Sequence, residues 1–327
     1  MQMTIAAVIP LYNGSDFIEE AVRSVLKQTR PADEIIVVDD GSTDDGPAKI
    51  ERLAAQHPIT LLRKENGGQS SARNMAIKHS QCEYIAFLDQ DDVWYDDHLA
   101  ILAQPFCDSG LRDLAVVYGN IDLIDRQGRM IARGYLDEID STHPKTSLHQ
   151  CLAQDLYIVP SATLVAKEAI STVGYFDERL SGYEDDDLFV RIFWAGYRNV
   201  YLKEAVSRWR HYGGSSSFSA RMGQSRMIYF KKLVDTFPDE PNLGLWWRHN
   251  IIGPRFMKIA FHEFIRASRA GDTAALDRAW SEIKQIAPVM NRRTRERVKR
   301  FSPLIERLYP GPLTGIARSL ARFAVRL

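Results

Sequence analysis

Residues 84–94 read YIAFLDQDDVW. Five residues suited to a buried strand, Tyr84 to Leu88, run directly into Asp89, Asp91 and Asp92. Carboxylates crowded together repel one another and resist desolvation, so something positive is expected where that strand ends. What surrounds this stretch decides the fold.

The same pattern recurs on both sides. TIAAVIP (4–10), EIIVVDD (34–40), ITLLR (59–63) and LAVVYGN (114–120) are predicted strands. Helices are predicted over 16–28, from the Gly41–Asp44 turn to about Gln56, over 70–79 and over 96–107. Continuous apolar strands separated by helices predict an α/β domain with a mostly parallel sheet covered on both faces. Ligands bind such sheets beyond the carboxyl ends of the strands. Those ends carry Pro10-Leu11-Tyr12-Asn13, Asp39-Asp40-Gly41-Ser42, Asn66-Gly67-Gly68 and the cluster at 89–92, so four polar segments are expected on one rim. No GxGxxG follows the first strand and no GxxxxGK[ST] occurs, so dinucleotide and P-loop readings lack their phosphate-cradling glycines.

The 327-residue chain is 45% apolar and 26% charged with a formal net charge of zero, which points to a folded globular protein of one or two domains and away from disorder and nucleic-acid binding. Cys82, Cys107 and Cys151 stand alone, in no disulfide or zinc spacing, which fits a reducing cytoplasm. No run approaches membrane-spanning length and no charged region precedes the first apolar stretch, so neither secretion nor membrane integration is expected. The neutral total hides an asymmetry. From Asn291 to Leu327 there are ten Arg or Lys against two acids.

Beyond residue 120 the pattern loosens. IDRQGRMIARG predicts a hairpin with a Gln-Gly turn, LYIVPSATLVAKEAISTVG a strand pair leading to a short helix, and YEDDDLFVRIFWAG the start of another helix. From about 216 the pattern is helical, over 219–236, 245–268, 272–286 and 291–300, with breaks near Pro238, Pro241, Gly271, Pro288 and Pro303.

Each candidate site has a plainer alternative. Asp-x-Asp at a strand end lets carboxylates reach one Mg²⁺ or Mn²⁺, whereas turn and cap chemistry would need only one of the three acids. Asp39 and Asp40 can accept the imide N–H of a uracil or thymine ring, or form an Asx turn with a helix cap; Tyr12 could stack on the base. NGGQSSARNMAI (66–77) sets a Gly-Gly turn before a helix carrying Arg73, a place for an anion such as a diphosphate, or a capped helix with a surface arginine. In GYEDDDLFVRI (182–192), Glu184, Asp185, Asp186 and Asp187 suit a helix N-terminus, and one of them could serve as a general base. RWRHYGGSSS (208–217) looks like a loop, with His211 as a metal or phosphate contact or simply a solvated histidine.

Taken together, VIPLYNGSDFIEEAVRSVLKQT, EIIVVDDGSTD, NGGQSSARNMAI, YIAFLDQDDVW and GYFDERLSGYEDDDLFVRI resemble the family 2 glycosyltransferases of GT-A fold, over about residues 1–215. That resemblance implies a nucleotide-diphosphate sugar donor, mostly UDP-linked, a divalent cation (Mn²⁺ or Mg²⁺), and inversion at the anomeric carbon. It matches Pro10 to Tyr12 and Asp40, with Asp39 beside them, to the base-binding positions, and Arg73 to the segment near the diphosphate. Asp91 matches the metal-binding aspartate, Asp89 the first member of its motif, and Asp185 the catalytic base. Glu184 and Asp186 are acceptor-side candidates. His211 falls near a histidine that often follows an arginine in the family, although here Arg210 and His211 are adjacent.

The implied organisation is a catalytic domain over 1–215, with a donor-binding half over 1–120 and an acceptor half over 121–215, followed by a helical region over 216–327. Near its end Leu313, Ile316, Leu320, Phe323 and Leu327 share one helical face and Arg318, Arg322 and Arg326 the other. A basic amphipathic helix suits a membrane surface, or packing on its own domain or a partner. The expected function is therefore hexosyl transfer to a glycan or lipid-linked acceptor of a surface polysaccharide, in the cytoplasm at the inner face of a membrane. The rival readings are a sugar-1-phosphate nucleotidyltransferase, which would want a Gly-rich basic loop after the first strand, and a binding protein without catalysis.

Overall fold

The computed structural model describes residues 3–108, 110–111, 113–212, 220–309, 311 and 314–325. Two compact units emerge, Met1–Cys151 with Asp155–Arg226, and Leu152–Gln154 with Met227–Leu327.

The first unit opens with three turns of the expected alternation. β1 (Ile5–Leu11), α1 (Ile18–Leu26), β2 (Glu34–Asp39), α2 (Gly46–Ala54), β3 (Ile59–Arg63), α3 (Gln69–His79) and β4 (Tyr84–Phe87) follow in order. β5 (Val93–Trp94), α4 (His98–Asp108), β6 (Leu114–Ile124), β7 (Met130–Ala132), α5 (Tyr135–Glu138) and α6 (Leu148–Ala153) come next. β8 (Thr163–Ala166), α7 (Lys167–Thr172), α8 (Glu184–Trp194), β9 (Arg198–Arg210) and α9 (Ala220–Thr236) complete the series, α9 carrying the boundary between the units.

The sheet runs β3-β2-β1-β4-β8-β6-β9-β5, with β7 paired to β6. Its first four strands are parallel, and every residue of β1 is buried, as the uninterrupted apolar run demands. Pro10, which has no N–H to give a ladder, falls after the β1–β4 pairing has ended at Val8 and Phe87. Beyond β4 the sheet becomes mixed: β8 inserts antiparallel between β4 and β6, whereas β6 and β9 are parallel. Because β1 is followed by β2 on one side while β4 lies on the other, the chain's course reverses between β1 and β4. That is the position at which an open α/β sheet leaves a crevice for ligand.

Two local expectations need correction and a third holds. The stretch from Leu156 to Gly174 holds one strand, β8, entered through a 3₁₀ turn at Pro160–Ala162, and no strand pair. The segment at 208–212 is not a loop throughout, because β9 extends to Arg210 along the length of β6; the polar residues 213–217 lie outside the described residues. The hairpin from β6 to β7 turns at Asp125–Gly128 as the Gln-Gly pair suggests.

The second unit is built on α10 (Gly253–Ala270), α11 (Thr273–Ile286), α12 (Arg292–Leu308) and α13 (Thr314–Val325). Asp272 and Asn291 cap α11 and α12 by accepting from Ala275 N at 2.9 Å and Thr294 N at 3.0 Å. Its core stacks Phe264 against Trp280 and Tyr309. α12 does not break at Pro303. Ser302 Oγ donates to Val298 O, Lys299 is exposed so that the carbonyl lost to proline can meet water, and Ile305, beyond the proline, is fully buried. Among the described residues no helix is long and apolar enough to cross a membrane.

Candidate active site

The ends of β1 and β4 are joined side by side. Tyr12 N donates to Gln90 Oε1 at 2.8 Å, and Gln90 Nε2 donates back to Tyr12 O at 3.1 Å. The amide thus pairs with Tyr12 as a neighbouring strand would, across the crevice between β1 and β4. Gly14 leaves room for it, since a Cβ there would stand 2.4 Å from Gln90 Cδ. Asn13 ties the same turn to the next strand end, its N donating to Ser42 Oγ and its Oδ1 accepting from Thr43 N.

The acids of the opening motif have three different surroundings. Asp89 takes the Arg73 guanidinium on Oδ1 at 2.5 Å and anchors its own N–H on Ser161 Oγ. Asp92 turns inward, where its Oδ1 accepts from Arg210 N at 2.9 Å; burial pushes its carboxyl well above the usual range. Asp91 is half-buried, and Tyr212 OH donates to it. Burial first and the charge of Asp89 second push the Asp91 carboxyl up to about 6. The loop is braced by Arg210, whose Nε donates to Asp91 O at 2.7 Å and whose Nη2 pairs with Glu20. Asp91 and Asp89 therefore fit a divalent cation, because two mutually repelling carboxylates are what a cation relieves. Among the described residues no group of three His, Cys, Asp or Glu gathers to hold an ion, so the remaining ligands would come from donor phosphate and water, as is usual for Mg²⁺.

A cavity of about 270 Å³ gathers Arg73, Asp89, Glu184, Asp185 and Asp186 from α3, the turn after β4, and α8. Tyr157, Tyr183, Trp209 and Met222 supply much of its apolar wall. Tyr183, the residue before α8, is held at φ 62° and ψ 11°, a left-handed conformation that is costly for a tyrosine. Successive residues of α8 then point roughly 100° apart, so its four acids meet different surroundings. Glu184 accepts from Gln69 Nε2 and, at 3.0 Å, from Arg73 Nη1; Asp186 accepts from Leu156 N; Asp187 pairs with Arg191. Asp185 alone of the four keeps part of its surface exposed. Burial, followed by the charges of Glu184 and Asp186, raises its carboxyl well above the usual carboxylate range.

Several expected donor contacts are placed differently. Pro10 and Leu11 are buried in β1, Leu11 as a core side chain, so only Tyr12 at 46% exposure offers a stacking face. Asp39 accepts from Ser42 N and is 6% exposed. Asp40 is 2% exposed and already accepts from Lys64 Nζ, Gly67 N and Gly68 N, so its carboxylate fastens the Gly-Gly turn to β2. Arg73 is no surface arginine. It is 1% exposed and bridges Asp89 and Glu184, and its bound carboxylates raise its own basicity further, so its guanidinium orders the cavity's acids instead of waiting for a diphosphate. His211 is exposed, its ring 6.0 Å from that of Trp209 and its backbone N–H donating to Ile124 O at 2.8 Å, while Tyr212, the next residue, reaches Asp91. The signal for Gln90 and Tyr212 in the sequence was only adjacency to the acids and to Arg210.

The sequence profile of Glycosyl transferase family 2 matches residues 6–173, which carry β1 through α7 and the whole strand-end rim. The chain belongs to this family. An uncharacterised glycosyltransferase of Rickettsia conorii is 31% identical over 241 residues, 72% of this chain and 39% of that protein. The chain spans about two-fifths of the length of such curated relatives. The solved structure of S. aureus TarS 1–349 in complex with UDP-GlcNAc superposes with a TM-score of 0.64 at 19% identity, covering 99% of this chain and 90% of that one. The mannosyltransferase PcManGT from Pyrobaculum calidifontis, in complex with GDP-Man and Mn²⁺, gives 0.58 at 18% identity over 99% and 86%. These likenesses establish for this family 2 chain the GT-A fold, with its mixed sheet flanked by helices.

Proposed function

We propose that this family 2 chain is an inverting glycosyltransferase. It takes a hexose from a nucleotide-diphosphate donor, UDP-linked by preference, to a hydroxyl of a glycan or lipid-linked acceptor in surface polysaccharide assembly at the inner face of a membrane. The observation that carries the reading is Asp185, partly exposed in a cavity it shares with Asp89, while Glu184, Arg73 and Asp89 form a continuous ion-paired bridge across that cavity. The TarS complex with UDP-GlcNAc and the PcManGT complex with Mn²⁺ support the donor and metal classes by analogy of fold.

The chemistry asked of these residues is modest. The acceptor hydroxyl lies against Asp185, which takes its proton as the oxygen bonds to the anomeric carbon. The bond from that carbon to the diphosphate breaks at the same time, its electron pair leaving on the phosphate oxygen. One displacement from the face opposite the leaving group inverts the centre. A carboxyl held above its usual range is a stronger base once ionised, which suits removal of a proton from an alcohol. A divalent cation held by Asp91 and Asp89 would, when bound, offset the charge growing on the diphosphate. Tyr12 would stack on the base, positioned by Gln90. Imide recognition by Asp40 would require the Gly67–Gly68 turn to give up one of its bonds.

The test is nucleotide release from a panel of UDP-, dTDP- and GDP-sugars with and without EDTA. Release from a UDP-sugar that EDTA abolishes supports the reading. Pyrophosphate-dependent formation of nucleoside triphosphate instead would establish the nucleotidyltransferase.

A further inference from the structure

In the second unit, α13 packs with its smallest residues. Ala317, Ala321 and Ala324 are fully buried, while Ile316 is 51% and Phe323 46% exposed. Val325 is also buried; of the apolar face read from the sequence, Ile316 and Phe323 are exposed and Leu320 is half-buried, while Leu313, Arg326 and Leu327 lie outside the described residues. At roughly 100° per residue, Ile316 and Phe323 stand about 120° to one side of the alanine stripe and Arg322 about 120° to the other, so both flank the outward face. On the Arg322 side, α10 and α13 border an open depression of about 440 Å³ lined by Phe261, His262, Ile265, Arg266, Arg269 and Arg322. Its lining joins the apolar Phe261 and Ile265 to three exposed arginines and holds no acid. Glu263 touches Arg266 at 3.6 Å and offsets one charge in part. On the Phe323 side, Arg297 lies 5.0 Å from the phenyl ring.

We infer that this face of the second unit binds the surface of an anionic phospholipid bilayer. The Arg266–Arg269–Arg322 depression takes lipid phosphate, and Ile316 and Phe323 enter the headgroup layer. Arginine forks suit phosphate, and the exposed apolar side chains beside them have no use against a free anion in water. The inference deepens the membrane-face placement proposed above and rests on it, but not on the transfer chemistry.

The test is sedimentation of the full chain with phosphatidylcholine vesicles that contain or lack phosphatidylglycerol. Binding is expected only to the anionic vesicles. The triple substitution Arg266→Gln, Arg269→Gln, Arg322→Gln should weaken it on the order of a hundredfold, at about fivefold per arginine, whereas the triple Lys substitution retains most of it. Undiminished binding by the Gln variant, equal binding to neutral vesicles, or no binding by the unaltered chain would overturn the inference. So would release by inorganic phosphate beyond that by sodium chloride of equal ionic strength, which would mark a free-anion site. The readout is independent of transferase activity, so a negative result leaves the reaction proposed above intact.

Discussion

The Gln90 side-chain amide exchanges two hydrogen bonds with the backbone of Tyr12, one in each direction, at 2.8 and 3.1 Å. That exchange joins the turn proposed to carry the nucleotide base to the turn proposed to carry the metal.

Gln90→Ala breaks both bonds without touching the core. With neutral hydrogen bonds contributing about 0.5–1.5 kcal/mol each, the two together hold about 1–3 kcal/mol, so the donor KM is expected to rise at least about fivefold while kcat changes less than about twofold. Steady-state kinetics over a donor series separates the two. Gln90→Glu keeps the acceptor for Tyr12 N and loses the donor to Tyr12 O, so it should fall between.

Arg73 holds two carboxylates in a buried place. Arg73→Met leaves Asp89 and Glu184 without their cation and is expected to cost about 3–5 kcal/mol in urea unfolding. Arg73→Lys has one ammonium where two guanidinium arms reach in different directions, and should recover only part of that loss. A variant as stable as the unaltered protein would show that the bridge is dispensable.

The Asp91 carboxyl, up to about 6 in the folded chain, sets a pH window. An acid whose folded pKa exceeds its unfolded one favours folding fully below the unfolded value, and that preference is lost as pH rises through about 6. A cation needs the ionised form. Thermal stabilisation by Mn²⁺ or Mg²⁺ is therefore expected to be slight near about pH 5 and to reach its plateau near about pH 7. Asp91→Asn should remove the metal effect at both. Equal stabilisation at the two pH values would place the cation elsewhere.

The donor-binding half was legible because its strands are uninterrupted apolar runs, each ending in a turn of polar residues. The pattern that makes β1, β2 and β4 unmistakable also places Tyr12, Asp39 and Asp89 at strand ends. What local pattern could not carry was tertiary pairing. β5 has two residues and pairs only with β9, and β9 mixes charged and apolar residues along thirteen without a regular period, so neither announces itself without its partner, β9 for β5 and β6 for β9. Arg210 and Arg73 look like surface arginines in the sequence, yet each is buried because carboxylates and carbonyls elsewhere in the chain surround it. Asp40 and Asp92 are likewise drawn inward by backbone N–H groups distant in sequence. In α12, Pro303 is a helix breaker by propensity that tertiary burial of Ile305 overrides.

The central claim is that Asp185 removes the acceptor proton, and Asp185→Asn tests it most directly, with donor binding followed by calorimetry and transfer by product formation. The carboxamide has nearly the same shape and cannot take a proton. Donor affinity is expected to stay within about twofold of the unaltered chain while transfer falls by about 10²–10⁴. The unaltered chain's rate should rise with pH above the ordinary carboxylate range as Asp185 ionises, and the residual rate of the variant should not follow it. Undiminished transfer by Asp185→Asn would contradict the account.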